Sequence, residues 1–375
     1  MKDICQYELC TGCSACQNIC PHDCITMEPD SFGVLHPTIN EHLCVDCGLC
    51  SKTCPINVPV ELFDPHKCYA VWHRDYGFRK KCASGGVAAS LYLFFIQKLK
   101  GVVYGVTWDS HLRPIFCRTE NLNVAVQFKG SKYVQAFVED IYRQVKRDLR
   151  SNRFVLFIGT PCQVAGLKNY LKQDYDRLFT CDLVCHGVPP YEYFHREIDR
   201  IKRHKRIQVT GCRFRGNDEY NYHLTLWDGE KLVYDRRGSQ SYFLYGFLTS
   251  ITLSEGCYSC KFATDKRVGD ISIGDFIGLG NLNIMGLQPK NVSVVTINTK
   301  RACSLWEQVQ NSDPSIMQEE RLFSEAVTGG QSFQRPAVKN VKRDKFLKDY
   351  KLYGWDKAIH RALWKSILRN KIKRI

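Results

Sequence analysis

Long apolar runs are absent from this 375-residue chain. The longest, residues 87–96, falls well short of the roughly 18 apolar residues that cross a bilayer. The first residues, Met-Lys-Asp-Ile-Cys, lack the apolar core of a secretory signal peptide. These two absences argue against a membrane-spanning or secreted protein, and we expect a cytosolic one.

Basic residues are scarce at one end of the chain only. Residues 1–60 contain two Lys or Arg against seven Asp or Glu, whereas residues 335–375 contain fourteen against three. The formal net charge of the whole chain is +15. Because the two ends carry opposite charge, we expect them to meet different partners.

Cysteine, by contrast, is abundant. Without a signal peptide, twenty Cys indicate metal ligation in a reducing compartment and not disulfides. Eight of them form two C-x2-C-x2-C-x3-C runs, each closed by proline: Cys10, Cys13, Cys16 and Cys20 before Pro21, and Cys44, Cys47, Cys50 and Cys54 before Pro55. This is the spacing of bacterial ferredoxins with two four-iron clusters, in which the fourth Cys of each run binds the other cluster.

The crossed pattern predicts two ligand sets. One cluster takes Cys10, Cys13, Cys16 and Cys54, and the other takes Cys44, Cys47, Cys50 and Cys20. Gly12 and Gly48 lie inside the loops, where the backbone must approach sulfur and φ can be positive. Zinc and a disulfide framework are the alternatives, and the doubled spacing argues against both.

The remaining pattern predicts an α+β chain in three parts. Residues 1–60 form the small ferredoxin-like domain with a hairpin over 25–37, and residues 58–66 form a linker with two prolines. Residues 67–335 form a larger α/β domain with a mixed sheet. Its predicted strands are 69–73, 101–108, 114–118, 154–158, 178–184, 270–274 and, as the last one, 292–298, with a meander over 208–235. Its predicted helices are 84–99, 136–149, 163–171, 191–203, 242–249 and 301–309.

Two loops of the larger domain follow predicted strands and contain cysteine. Cys162 and Cys185 follow the strands 154–158 and 178–184, at the edge where open α/β sheets bind ligands. Cys257 and Cys260 form a C-x2-C pair. These four thiolates predict a third metal site, for which zinc and a four-iron cluster both remain open. We interpret the other eight Cys as ordinary buried thiols.

The segment Ser84-Gly85-Gly86 precedes an apolar helix. Ser84 is a good N-cap, and the glycines leave the first helical amides open to an anion such as phosphate. Most helix starts of this kind are simple caps, so the pattern alone is a weak indication.

The last part of the chain, residues 336–375, predicts a basic amphipathic helix. Lys357, Arg361, Lys365, Arg369 and Lys373 recur every four residues, with an apolar line on the other side. A helix docked on the protein is the simplest interpretation, and peripheral contact with an anionic membrane is the alternative. Nucleic acid is not expected, since no base-reading module accompanies the charge.

Six motifs occur in an order that resembles the family of coenzyme F-420 hydrogenase/dehydrogenase beta subunits, over about residues 1–335. They are Ser-Gly-Gly at 84–86, Gly-Ser-Lys-Tyr-Val-Gln at 130–135, Gly-Thr-Pro-Cys-Gln at 159–163, Asp-Leu-Val-Cys-His-Gly-Val-Pro at 182–189, the Cys pair at 257–260, and Gly-Asp-Ile-Ser-Ile-Gly-Asp-Phe at 269–276. The bacterial members found in surface-polysaccharide gene clusters are the most similar group.

The resemblance implies a flavin-binding larger domain with FAD next to a third four-iron cluster. It places cofactor-binding roles on Ser84, Gly85, Gly86, Ser131, Lys132, Tyr133, Thr160, Gln163 and Asp275. Lys132 is expected to neutralise reduced flavin or a phosphate, and His186 to donate a proton, so both are the candidate catalytic residues. A flavin would join the one-electron chemistry of the clusters to two-electron chemistry.

These features together predict an iron–sulfur flavoprotein oxidoreductase. Electrons would enter at the acidic N-terminal domain from a ferredoxin or a reductase. They would leave through the flavin to a small organic substrate or a glycan precursor in surface polysaccharide biosynthesis. Two alternatives remain open: a non-catalytic electron-transfer subunit of a larger oxidoreductase complex, and an F-420-dependent dehydrogenase subunit.

Overall fold

A computed structural model describes residues 3–215, 222–280 and 291–372 of the protein. The N-terminal part of the chain, residues 1–60, is called the head. The head contains α1 (Ala15–Ile19), β1 (Ile25–Pro29), β2 (Leu35–Ile39) and α2 (Leu49–Thr53). β1 and β2 pair antiparallel with Ile25 opposite Ile39, which confirms the predicted hairpin.

Each short helix of the head begins after a residue with left-handed backbone. Ser14 precedes α1 with φ 61°, and Gly48 precedes α2 with φ 72°. Gly12, in the first cysteine loop, has φ 65°. The positive φ expected at both loop glycines is therefore confirmed, and it folds each cysteine loop tightly back on itself.

The larger domain, residues 67–335, is called the body. Its helices are α3 (Tyr76–Arg79), α4 (Val87–Gln97), α5 (Leu122–Ala125), α6 (Ile141–Arg150), α7 (Pro161–Leu171), α8 (Tyr191–Lys205), α9 (Tyr242–Leu248), α10 (Lys300–Ser312) and α11 (Phe323–Gly329). Its strands are β3 (Lys67–His73), β4 (Val102–Trp108), β5 (Pro114–Thr119), β6 (Val155–Gly159), β7 (Leu178–Leu183), β8 (Gly211–Arg213), β9 (His223–Asp228), β10 (Lys231–Arg237), β11 (Ile271–Asp275), β12 (Ser293–Ile297) and β13 (Ile316–Glu320).

Eight strands form one mixed sheet in the order β13-β3-β12-β11-β7-β6-β4-β5, and β8, β9 and β10 form a separate antiparallel sheet. The inner strands β4, β6, β7 and β11 run parallel. All five residues of β6 are buried, as expected for a strand covered on both faces. The predicted mixed α/β domain is confirmed, and the carboxyl ends of β6, β7 and β11 meet at one edge of its sheet.

Three predicted elements differ in extent. The helix predicted over 136–149 begins at Ile141, because Phe137 is extended and its N–H donates to the carbonyl of Pro114 at 2.8 Å. The strand 292–298 is not the last one, since β13 follows and pairs with β3 at the sheet edge. The first strand of the meander is shorter than predicted and covers Gly211–Arg213.

The last part of the chain, residues 336–375, is called the tail. It contains one long helix, α12 (Arg343–Ile372), with a break at Gly354. Its apolar line packs on the core formed by α8 and α9, and that line comprises Phe346, Trp355, Ile359, Leu363 and Ile367. The docked helix, the simpler of the two interpretations, agrees with this packing. Lys373 lies outside the described residues. Within the residues described, no helix combines the length and apolarity needed to cross a bilayer.

Candidate functional site

The eight cysteines of the two doubled runs separate into two groups in space. Cys20, Cys44, Cys47 and Cys50 line one cavity, and we call these four residues the outer thiol set. Cys10, Cys13, Cys16 and Cys54 line a second cavity, and we call these four residues the inner thiol set. The fourth Cys of each run thus lies with the first three of the other, as the crossed spacing requires.

The two sets differ in exposure. Cys47 of the outer set is exposed, and Leu43 and Val45 beside it are 53% and 61% exposed. Three members of the inner set, Cys13, Cys16 and Cys54, are buried. The outer set therefore faces solvent, and the inner set lies between it and the body.

Each cavity also contains a fifth cysteine that the spacing does not single out. Cys24 lines the outer cavity with its sulfur 3.3 Å from that of Cys20. Cys5 lines the inner cavity and hydrogen-bonds to Cys10 and Cys54, which raises the pKa of Cys5. Both are among the thiols that the sequence pattern leaves as ordinary buried residues. Neither belongs to the repeated motif, so no sequence signal distinguishes them.

A third group forms at the carboxyl edge of the sheet. Cys162 lies at the start of α7, Cys185 follows β7, and Cys257 and Cys260 come from a short 3-10 helix and the residue after it. The thiol of Cys257 interacts electrostatically with the other three. We call these four residues the body thiol set.

Polar groups point at the sulfur atoms of the body thiol set. The hydroxyl of Thr160 lies 3.2 Å from the sulfur of Cys162, and the N–H of Gly187 donates to Cys185 at 3.3 Å. The N–H of Val188 donates to Cys257 at 3.4 Å. Hydrogen bonds of this kind stabilise thiolates and tune iron–sulfur clusters.

Burial raises the pKa of Cys162 to about 11 and that of Cys185 to about 12, because a thiolate loses hydration there. Four such thiols need a bound cation to become thiolates. Among the described residues, no three His, Cys, Asp or Glu side chains are close enough to hold a metal ion directly.

Contacts between head and body join the inner thiol set to the body thiol set. The hydroxyl of Tyr142 lies 2.8 Å from the main-chain carbonyl oxygens of both Cys13 and Gln163. The side-chain amide of Gln135 donates to the main-chain carbonyl of Thr11, next to Cys10, at 3.4 Å. Tyr142 was missed in the sequence, since only the folded chain brings it to this junction.

The predicted flavin residues do not all lie together. Asp275 forms an ion pair with Arg215 at 2.8 Å, while Arg215 also donates to Tyr133. Burial alone would raise the pKa of Asp275, but Arg215 outweighs it and the pKa is lowered. Arg215 is the central cation of this group, which we call the arginine cluster, and no motif indicates it.

Several polar groups predicted to meet the flavin already have protein partners. The hydroxyl of Ser84 donates to the carbonyl of Val292, and the N–H of Gly85 donates to the hydroxyl of Ser293. Gly86 has φ 99° and precedes α4. The phosphate-binding part of the prediction therefore gains no support from Ser84 and Gly85.

The other predicted residues lie elsewhere. Thr160 and Gln163 form a capping box at the start of α7, beside the body thiol set. The ammonium of Lys132 donates to the carbonyls of Gln127, Phe128 and Lys129 at 3.0–3.2 Å. Ser131 hydrogen-bonds to Tyr133.

His186 lies between the body thiol set and the arginine cluster. Its Nε2 is 3.2 Å from the hydroxyl of Ser250, and its ring meets Phe247 edge-on. Phe247 in turn stacks on Tyr133, with ring centroids 4.9 Å apart. Burial lowers the pKa of His186, so the neutral imidazole is favoured. Its role in proton transfer stays a prediction.

Comparison with known proteins matches both parts of the chain. Residues 9–58 match the 4Fe-4S dicluster domain, and residues 152–320 match the C terminus of the beta subunit of coenzyme F420 hydrogenase/dehydrogenase. The ferredoxin 7Fe of Hydrogenibacillus schlegelii is 35% identical over 78 residues, which are 20% of this chain and 92% of that ferredoxin.

The F subunit of the F(420)H(2) dehydrogenase of Methanosarcina mazei is 19% identical over 209 residues. The match covers 53% of this chain and spans 58% of the length of that relative. A chain of the F420-reducing NiFe hydrogenase complex of Methanosarcina barkeri is 16% identical, with a TM-score of 0.49, over 79% of this chain and 91% of that one. The chain therefore carries an N-terminal 4Fe-4S dicluster domain, followed by a region that matches the C terminus of the beta subunit of coenzyme F420 hydrogenase/dehydrogenase.

Proposed function

We propose that this protein is the iron–sulfur electron-transfer subunit of an oxidoreductase. The observation that carries the proposal is the serial arrangement of three thiol sets, from the exposed outer set through the buried inner set to the body thiol set. Each set would hold one four-iron cluster. The outer set would exchange electrons with a protein partner such as a ferredoxin or a reductase, because its Cys47 is exposed.

The contact at Tyr142 supports transfer between the inner and body sets. It holds the loop of Cys10 and Cys13 against the start of α7, so the two thiol sets keep a fixed separation. Electron transfer needs such fixed neighbours. The order outer, inner, body is therefore the proposed path, and it can run in either direction.

An organic redox cofactor is the proposed end of this path. The arginine cluster supports it, because a buried guanidinium and the aromatic rings of Tyr133 and Tyr222 can hold a polar, planar ring system. A flavin there would exchange one electron at a time with the clusters and two with an organic substrate. Its substrate, whether a glycan precursor or another small molecule, stays a prediction.

A second candidate follows from the name of one relative. Since the Methanosarcina mazei protein is a subunit of an F(420)H(2) dehydrogenase, this chain would serve as a subunit that reacts with the same deazaflavin. The matched region spans only part of that relative, so a direct test is needed. Anaerobic mixing with reduced F-420 should then reduce the clusters, and an unchanged cluster spectrum would reject this candidate.

The proposal is tested by an anaerobic cofactor analysis of the purified chain. Three four-iron clusters predict about twelve irons and as many sulfides per chain. Cys257→Ala should remove about four of each, whereas Cys303→Ala, in α10 and outside all three sets, should remove none. Eight irons in the wild type would reject the third cluster. Twelve irons without flavin would leave an electron-transfer subunit whose organic partner lies on another chain.

A further inference from the structure

The helix α12 has a second apolar line that the fold does not bury. Trp364, Leu368 and Ile372 follow one another every four residues and are 40%, 50% and 61% exposed. Residues four apart lie on the same side of a helix, so the three form one line about 12 Å long. The opposite line, which includes Ile359 and Leu363, is packed against the body and holds the helix in place.

Exposed cations lie along and beside this exposed line. They are Lys357, Arg361, Lys365, Arg369 and Lys371, and all five are exposed. Arg361 forms an ion pair with Asp349 at 3.2 Å. After Asp356 the sequence contains no acidic residue. We call this surface, with its three apolar and five basic side chains, the basic face of α12.

We propose that the basic face of α12 binds the surface of an anionic lipid membrane. The three apolar side chains would enter the interfacial layer, where Trp is favoured, and the cations would meet lipid headgroups. The helix would lie along the membrane and stay docked on the body through Ile359 and Leu363. This contact is independent of the clusters, so it stands or fails apart from the proposed function.

Charge and shape favour lipid over the other partners of a basic surface. A nucleic acid would pair with the cations through phosphates but would leave Trp364, Leu368 and Ile372 in water. A membrane satisfies both features at once, because anionic headgroups and acyl chains lie a few ångströms apart. The apolar line alone is short, and weak insertion of this kind needs a second, electrostatic attraction for stable binding.

The test is co-sedimentation of the full, anaerobically purified chain with vesicles of phosphatidylcholine, with and without phosphatidylserine. The wild type should bind only the anionic vesicles, and added NaCl should weaken binding. Lys365→Gln with Arg369→Gln should weaken it about twenty-fivefold, at roughly fivefold for each charge removed. Trp364→Gln, Leu368→Gln and Ile372→Gln together should weaken it roughly tenfold or more.

Matched controls distinguish binding by this face from nonspecific binding by other exposed apolar side chains. Leu322→Gln and Val341→Gln remove side chains that are 61% and 96% exposed elsewhere, and they should leave vesicle binding unchanged. Iron content and the far-ultraviolet circular dichroism spectrum verify that each variant folds, which is expected since every substituted residue is exposed.

Three results would overturn the proposal. The first is equal or no binding to the two kinds of vesicle. The second is anionic-vesicle binding that the triple Gln variant retains in full, because charge alone would then suffice. The third is a wild-type dimer, seen by light scattering, that the triple variant converts to monomer while neither binds vesicles. That result would make a second copy of the chain the occupant of this face.

Discussion

At the scale of single residues, Thr160 controls the polarity around one sulfur of the body thiol set. Its hydroxyl lies 3.2 Å from the sulfur of Cys162. The same hydroxyl donates to Oε1 of Gln163 at 2.9 Å. We expect Thr160→Val to lower the reduction potential of the cluster proposed there, because the hydroxyl can turn its proton to the sulfur when reduction adds negative charge. One hydrogen bond of about 1 kcal/mol corresponds to ~40 mV for one electron.

The potential is measured by an anaerobic titration followed by electron paramagnetic resonance. Thr160→Ser is the matched control, since it keeps the hydroxyl and should keep the potential. The Val variant also loses the side-chain cap of α7, so its stability should fall by about 1 kcal/mol. A Val variant with an unchanged potential would show that the hydroxyl does not influence this cluster.

The hydrogen bonds of Lys132 lead to a second prediction for a single residue. Its ammonium donates to three main-chain carbonyls at the end of the segment 122–129. Lys132→Met should therefore lower the free energy of unfolding by about 2 kcal/mol, since three main-chain carbonyls lose their donor. Thermal unfolding measures this change, and Lys81→Met, at an exposed position, is the control. Full stability combined with loss of redox turnover would instead favour the catalytic role expected from the sequence.

At the scale of secondary-structure elements, Gly354 sets the course of the tail. Its φ of 72° and ψ of −177° break α12 in a region that essentially only glycine adopts. A β-carbon there would have open space, so the cost of a substitution is conformational and not steric. Gly354→Ala should destabilise the protein by about 1–3 kcal/mol.

The effect is measured as a shift of the chemical unfolding midpoint. Ala362→Gly is the reverse substitution, in the regular part of α12. It should lower the free energy of unfolding by only about 1 kcal/mol, because glycine has a lower helix propensity than alanine. An alanine at position 354 without cost would mean that the helix can straighten. The packing of Trp355 and Ile359 would then have to change as well.

Elements with a strong local pattern could be predicted from the sequence. The apolar strand β6 and the hairpin of β1 and β2 follow from periodicity and turn residues alone. The edge strand β13 was missed, because Ile316 alone of its five residues is buried and its pairing with β3 joins segments some 240 residues apart. Local patterns carry no information on such pairings.

At the scale of the whole molecule, the candidate site also has a part that the sequence predicts and a part that it does not. The outer and inner thiol sets could be predicted, because their ligands lie within two short motifs. Arg215 and Tyr142 could not, since each acts on a residue at least 21 positions away. The tail shows a similar limit of prediction from sequence. Its amphipathic pattern predicted a helix, but that helix has two apolar lines. Only the packing of the folded chain decides which of the two lines is buried.

The docking of head on body depends strongly on Arg143 of α6. Its guanidinium donates to the carbonyls of Asn18 and Cys20 at 2.8 Å and forms an ion pair with Asp23 at 2.6 Å. These carbonyls lie at the end of the short helix α1, which contains Cys16 of the inner set and is followed by Cys20 of the outer set. Arg143 thus fixes the head against the body next to Tyr142, which contacts the loop of Cys13.

Arg143→Met should loosen this contact by about 2 kcal/mol, because the carbonyls lose a charged donor while the methionine retains the packing of the stem. Hydrogen exchange of the amides in α1 and protease cleavage in the linker 58–66 should both increase. Arg147→Met, one turn further along α6 and 3.8 Å from Asp140 at the surface, should change neither. Unchanged exchange in Arg143→Met would mean that Tyr142 and the bond from Asn18 to the carbonyl of Glu139 suffice to hold the head.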